Sequence, residues 1–394
     1  MLSNVYVAGG VRTPFGSLNG ALADLTAPQL GSVAIRHALL RAGVRADDVD
    51  EVFFGNVISA GIGQNPARQA ALGAGLPVSC GATTIHKVCG SGMRAVILAG
   101  QTIQCGDGGL IVAGGCESMT NAPYLLGHAR SGYRLGHGEL IDAMIRDGLW
   151  DVYTNKHMAV CGDQCAIKYG FTREDQDTFA IESYTRALRA WEEGFYREDV
   201  VPIEVRTRKG VMVVDRDEDV GKYQGPEKLR GLRPAFGPES MVTAGNASGI
   251  NDGAAAMVVF GDERKESLNL RPAARVLGHA NVAMEPDWFT IAPIGAIRKL
   301  CDRLQIRPGD VDLYEINEAF AVVALVAIRE LKLDPAKVNV AGGAVAIGHP
   351  IGATGARIIN TLVRALHYHR KKLGIACLCI GGGEASAIAL ERCA

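Results

Sequence analysis

One pattern occurs twice in this chain, and it restricts the possible folds more than any other feature. Asp47-Asp48-Val49-Asp50-Glu51 precedes the apolar run Val52-Phe53-Phe54, and Gly309-Asp310-Val311-Asp312 precedes Leu313–Ile316. Cys89 lies 39 residues after Asp50 and opens a glycine-rich turn into a helical pattern; His349 lies 37 residues after Asp312 and does the same. Each helical pattern is followed by an apolar strand ending in glycine, at Gly114-Gly115 and at Gly381–Gly383. Two matched halves with this spacing predict a duplicated fold. Packed about a pseudo-twofold axis, they bring the two turns face to face across one site.

Strand-length apolar runs alternate with amphipathic stretches throughout. Val5–Gly10, Leu110–Ala113, Ala256–Phe260 and Ile375–Ile380 read as buried strands, and Ala27–Arg41, Met93–Gln104 and Arg357–His369 as helices. That alternation predicts an α/β protein with a mostly buried sheet. A chain of 394 residues is too long for one core. The first half is expected over 1–120, completed by about 242–270, and the second over 271–394. The stretch 121–241 breaks the rhythm and reads as an inserted loop domain covering the site. It contains one expected helix, Ser183–Arg197, and its charge runs Arg206–Lys209 and Asp215–Asp219 read as solvated faces.

Bulk properties exclude several functions. Formal net charge is −1, so no global field favours nucleic acid or an anionic membrane. An anionic substrate would have to be held by local groups. No apolar run approaches the ~18 residues that span a bilayer, and no charged-then-apolar leader precedes the first strand, so no signal peptide is expected. Ten cysteines are scattered without a paired framework, which points to a reducing, cytoplasmic setting. The 49 glycines exceed the roughly 28 of average usage. They gather at Gly90-Ser91-Gly92, Gly342-Gly343 and Gly381–Gly383, where close backbone approach or positive φ is the usual reason.

Three of these turns carry reactive side chains. In Val88-Cys89-Gly90-Ser91-Gly92-Met93, a strand-like stretch, Thr83–Val88, meets a glycine turn and a helix follows, which is the geometry of a nucleophile elbow. Free N–H groups at the helix start are expected to lower the thiol pKa and to offer donors to a developing oxyanion. The plainer alternative is a buried structural cysteine. His349, between Gly348 and Pro350, is a natural base for a thiol, or else a packing histidine. Cys379 ends a buried strand beside three glycines, whereas Cys377 fits a core role. Asn317-Glu318-Ala319-Phe320 follows a strand, a common position for site residues in α/β folds.

HKVCGSGM, TAGNASGINDGAAA, NEAFA, GGAVAIGHPIGATG and CIGGG appear in this order, and similarity runs from Val11–Gly16 to the last strand. The chain thereby resembles the thiolase family, in its acetyl-CoA acetyltransferase branch. That resemblance implies two α/β halves forming a five-layer αβαβα core. It implies that Cys89 takes the acyl group, that His349 deprotonates Cys89 and helps hold a thioester oxygen, and that Cys379 acts as acid or base. Asn317, through a water, and His349 would form one oxyanion hole, and the amides of Cys89 and Gly381 the other. Ser248 would bind the pantetheine arm. His157, Met158, Phe289, Ala319 and Phe320 would line the substrate pocket. The implied partners are acetyl-CoA, acetoacetyl-CoA and CoA, with no metal or redox cofactor. Ala129–Gly136 resembles the loop that joins dimers into homotetramers. A degradative thiolase of broader chain length, or a non-catalytic carrier of the same fold, are the alternatives.

The chain departs from the family pattern at four places. His86 stands where Asn is usual, Ala159 where Gly is usual, and Phe289 where many members carry Met. Glu384-Ala385-Ser386 follows the three glycines. A carboxylate there would raise the Cys379 pKa if it pointed inward; otherwise it is solvated or salt-bridged.

Overall fold

The computed structural model describes residues 3–208 and 210–394; Lys209, in the expected charge run, lies outside the described residues. Among the described residues the main sheet has ten strands, nine of them on one continuous path: β1 Val5–Arg12, β2 Glu51–Gly55, β3 Gly81–Ile85, β4 Leu110–Ser118, β5 Asn251–Gly261, β6 Ala274–Ala283, β7 Leu313–Ile316, β8 Leu373–Ile380 and β9 Glu384–Arg392; the two-residue strand Gly16–Ser17 pairs with β5 off that path. Their spatial order is β7-β8-β9-β6-β1-β5-β4-β2-β3. Val338 adds a parallel bridge to Tyr314 of β7, where β3 flanks β2 in the other half. Reading outward from the central β1–β6 pair, both halves therefore run antiparallel, antiparallel, parallel, parallel. The duplication seen in the sequence is a duplication of topology.

Helices complete the layers. α1 Ala27–Ala42 and α2 Pro66–Ala74 cover the outer face of the first half, burying Leu30, Ala34 and Ile35 against Val52, Phe54 and Phe260. α3 Ser91–Cys105 lies between the half-sheets. Two further helices, α4 Met158–Tyr169 and α5 Arg173–Glu192, belong to the insertion. α6 Ala292–Leu304 and α7 Ala321–Leu331 cover the second half, with Ile297, Leu300 and Val326 against Ile375 and Ala387. α8 Ile351–Tyr368 packs on α3, and Met93, Val96, Ile358, Ile359 and Leu378 share that central core. The result is the αβαβα stack. Each fully buried aliphatic side chain contributes about 1.5–3 kcal/mol.

Local chemistry sets the helix ends. Thr26 caps α1 in a capping box with Gln29, and Gly43 ends it at φ +69°. The insertion helix departs from the expected Ser183–Arg197: α5 starts ten residues earlier because Thr172 and Asp175 form a capping box. It stops before Gly194, which takes φ +80°. Polar early turns hid that start from a reading based on apolar periodicity.

The insertion is tied to β1 by a buried ion pair, which corrects the reading of Asp215–Asp219 as a solvated face. Arg12 donates to Asp217 through Nη1 (2.6 Å) and Nη2 (2.7 Å), with both side chains fully buried. Asp217 also accepts the Phe15 amide (2.9 Å), and the guanidinium stacks over Phe15 and Tyr196 at 4.9 and 5.0 Å. Asp217→Ala would strand this cation. It should cost about 3–5 kcal/mol in a denaturant titration; a loss below about 1 kcal/mol would contradict the role given to the pair.

Candidate active site

The Cys89 turn is held by its own polar atoms. Ser91 Oγ donates to the Val88 carbonyl (2.7 Å) and accepts from the Lys87 amide (2.9 Å). β3 ends at Ile85, short of the expected Val88. Val88 sits at φ +45°, a strained position for a β-branched residue and one typical of functional turns. Cys89 is 7% exposed. Burial pushes its thiol up to about 11, against the opposing pull of the Gly381 and Cys89 amides. The expected lowering by the helix start is thus overturned: those amides are present, but loss of water outweighs them.

Fixed acceptors set the orientation of His349. Its amide donates to Asn251 Oδ1 (2.9 Å). Gly348 before it takes φ +102°, and a Cβ there would lie 2.5 Å from the Asn251 side chain. His349 Nδ1 is 2.6 Å from Thr354 Oγ1, whose hydroxyl donates to the Pro350 carbonyl (2.9 Å). With that hydroxyl proton committed, Nδ1 carries the imidazole hydrogen, leaving a bare Nε2. Nε2 is buried and has no protein partner. Burial, and secondarily Arg357, lower the imidazole pKa to about 3. Thiol and imidazole are therefore both neutral at rest.

Cys379 is fully buried at the end of β8. Burial, and the nearby Cys89 sulfur, hold its pKa well above the usual thiol value. The Glu384 carboxylate is not among the main causes of this shift; it pairs with Lys87. Asn317 follows β7, its amide donating to the Cys377 carbonyl (2.9 Å). Its Oδ1 accepts from Arg357 (3.3 Å), and its Nδ2 is buried without a protein partner. Bare Asn317 Nδ2 can donate to a water or a substrate oxygen, whereas His349 Nε2 can accept a proton and, once protonated, donate to such an oxygen.

The expected pocket residues gather beside Cys379. Met158, Phe289, Ala319 and Cys379 share one apolar cluster, with Phe320 packed against it. A Cβ on Gly381 would strike the Met158 methyl. Ser248 is clipped to this wall, its amide and its hydroxyl both donating to the Ala319 carbonyl at 3.0 Å. His157 caps α4 by accepting from the Ala159 amide (3.1 Å) and stacks on Phe236 at 4.3 Å.

The sequence reading missed Glu117. It is fully buried at the end of β4 and accepts from the amides of Val57 (3.1 Å), Ile58 (3.1 Å) and Gly352 (2.9 Å), and from Asn56 Nδ2 (2.9 Å). Burial nevertheless raises its pKa to about 7. Strand register pairs Gly55 with Gly115 in one half and Ile316 with Cys377 in the other. Asn56 and Glu117 are thus the counterparts of Asn317 and Cys379. Aligning the two halves of the sequence strand by strand would have exposed it. In the first half a carboxylate fastens the N-terminus of α8; in the second, a thiol faces the site.

Two buried thiols, a bare imidazole nitrogen and the Cys89 and Gly381 amides at the Cys89 sulfur are the groups an acyl-transfer site would need, on a doubled α/β frame. A family model described as the thiolase N-terminal domain matches residues 5–263, and one described as the thiolase C-terminal domain matches 270–392. The chain belongs to the thiolase family. It is 50% identical over 391 residues to acetyl-CoA acetyltransferase 1 of Arabidopsis thaliana, covering 98% of this chain and 94% of that one. The crystal structure of the Bacillus anthracis acetyl-CoA acetyltransferase is 40% identical with a TM-score of 0.97, covering 100% and 99%. That of the Acat5 thiolase from Ascaris suum in complex with coenzyme A is 43% identical at 0.93, covering 99% and 100%.

Because the resting Cys89 is a thiol, its alkylation by iodoacetamide should rise about tenfold per pH unit between about pH 7 and 9 without levelling. A plateau beginning near neutrality would instead reveal a preformed thiolate–imidazolium pair.

Proposed function

We propose that this protein is an acetyl-CoA C-acetyltransferase, catalysing reversible condensation of two acetyl-CoA to acetoacetyl-CoA and CoA through an acyl-Cys89 intermediate. The observation that carries the reading is the pair of buried thiols Cys89 and Cys379, close enough to act on one another, with a buried His349 whose Nε2 is bare, in a chain that both thiolase domain models match. Relatives at 46–50% identity bear the acetyl-CoA acetyltransferase name.

In the first step Cys89 Sγ attacks the thioester carbonyl while its proton passes to His349 Nε2. The carbonyl oxygen becomes an oxyanion held by His349 and by a water on Asn317 Nδ2. CoA leaves as its thiol with the proton from His349. Since neither resting group is charged, attack and proton transfer occur together rather than from a stored thiolate. In the second step Cys379 passes its thiol proton to His349 Nε2, and the resulting thiolate removes an α-proton from a second acetyl-CoA. The resulting carbanion attacks the acetyl carbon, and Cys89 leaves as the thiolate while the Cys89 and Gly381 amides hold the oxyanion. Proton transfer from His349 to Cys89 restores the resting enzyme, with the α-proton kept on Cys379. Thiolysis is the same path reversed.

Ser248 would hold the pantetheine arm, with Ala319 and Phe320 forming its floor and His157, Met158 and Phe289 bounding the acyl group. The exposed stretch 129–136 supports a homotetramer, and the reading places the protein in the cytoplasm. Residues 121–241 act as the insertion covering the CoA site between the two halves.

Thiolysis of acetoacetyl-CoA by CoA, followed by loss of enolate absorbance, tests the assignment; inactivity of the reduced enzyme would end it. Cys89→Ala should abolish acyl-enzyme formation. Cys379→Ser should still acylate at Cys89 but lose at least about 10²-fold in turnover; near-normal turnover would remove its acid–base role. Phe289→Met should change the ratio of 2-methylacetoacetyl-CoA to acetoacetyl-CoA cleavage, and an unchanged ratio would make Phe289 packing alone.

A further inference from the structure

We propose that the Lys87–Glu384 ion pair is a positioning clamp that keeps the Gly381 amide over the Cys89 sulfur; the inference rests on the acyl-transfer reading above. Lys87 stands two residues before Cys89, and Glu384 three after Gly381. Their charged ends meet across a separation of 297 residues. The pair therefore joins the nucleophile turn of one half directly to the second-thiol turn of the other.

Ser91 holds the Cys89 turn internally, but neither turn's own hydrogen bonds fix it against the other. On one side Val88 is at φ +45°; on the other Gly382 and Gly383 are at φ +91° and +87°. The glycines give the second turn no side chain with which to grip the first. Apolar contact between the turns is slight and includes Ile380 and Val88: a Cβ on Gly90 would lie 2.5 Å from Ile380 Cδ1, and one on Gly381 3.5 Å from Val88 Cγ1. Glu384 is well placed to lock this arrangement, because it opens β9 and pairs with Ile380 across the glycine turn. Its own position is thus fixed by the sheet, and through Lys87 it fixes the Cys89 turn. The two side chains are 23% and 36% exposed, so the pair is only partly screened by water.

The clamp and the bare charge of Glu384 act on Cys89 with opposite signs. A nearby carboxylate by itself disfavours a thiolate, so a pure field effect would make Cys89 more reactive when Glu384 is neutralised. Loss of the clamp moves the Gly381 amide away, which withdraws a hydrogen bond from the thiolate and makes Cys89 less reactive.

The test uses the full-length enzyme as wild type, E384Q, E384K and the exchanged pair K87E/E384K. Two quantities are read: the rate of iodoacetamide alkylation at Cys89 at neutral pH, located by peptide mass spectrometry, and kcat for acetoacetyl-CoA thiolysis. E384Q and E384K should slow alkylation about 3- to 10-fold. E384K should lower kcat about tenfold with KM for CoA within about twofold, as expected for a misplaced donor. K87E/E384K should return both to within about threefold of wild type, because the exchanged charges rebuild the clamp. Unchanged or faster alkylation in E384Q would overturn the proposal, as would an exchanged pair no better than E384K. Should E384K fail to fold, E384Q decides alone. Wild-type protein without thiolysis would refute the acyl-transfer reading, while the alkylation rates would still judge the clamp.

Discussion

The N-termini of α3 and α8 meet through backbone, and the arrangement of the site depends on that contact. A Cβ on Gly92 would come within 2.8 Å of the Ala356 amide, and one on Gly55 within 2.6 Å of the Gly352 carbonyl. Gly115 and Gly355 are closed in as tightly, against Gly352 and Met93. Interiors are packed too densely to accept even one methyl group at such points without moving a helix. Cys89 lies just before one of these helices and His349 just before the other. Their separation is therefore set by main-chain contact, which varies far less than contact between flexible side chains.

Around that contact the two halves use the same frame for different ends. The counterparts Glu117 and Cys379 both end a buried central strand, yet one is bound by three amides and the other faces the pocket. An ionised carboxylate can satisfy several backbone donors at once, which suits it to fastening a helix start. A thiol makes weak hydrogen bonds, so it can sit buried without partners and stay available for proton transfer. A symmetric frame thus yields one site, because chemistry was placed at one of two equivalent strand ends.

The insertion is held to this frame by charge and polar contacts. Arg12 and Asp217 are fully buried. Asn251, whose Oδ1 fixes the His349 amide, donates through Nδ2 to Asp219 (2.8 Å) and to the Gly16 carbonyl (3.0 Å). Asp219 and the His349 backbone are connected through a single asparagine. Buried polar groups of this kind are costly when unpaired, so their geometry is closely specified.

Much of the fold was legible because it rests on local signals. The repeated Asp-rich lead-in, apolar run, glycine turn and helix marked both halves, and the thiolase motifs carried by Cys89, Asn317, His349 and Cys379 indicated the family. Caps such as Thr26 and terminators such as Gly43 act within a few residues, so they can be read in order along the chain. Tertiary structure decided what depends on distance and on exclusion of water. It raised the Cys89 thiol where the helix start alone suggested lowering. It turned Glu384 to Lys87 rather than toward Cys379. It buried Asp217, which sequence placed on a solvated run. Desolvation and pairing arise from residues hundreds of positions apart, and no local pattern records which of them will meet.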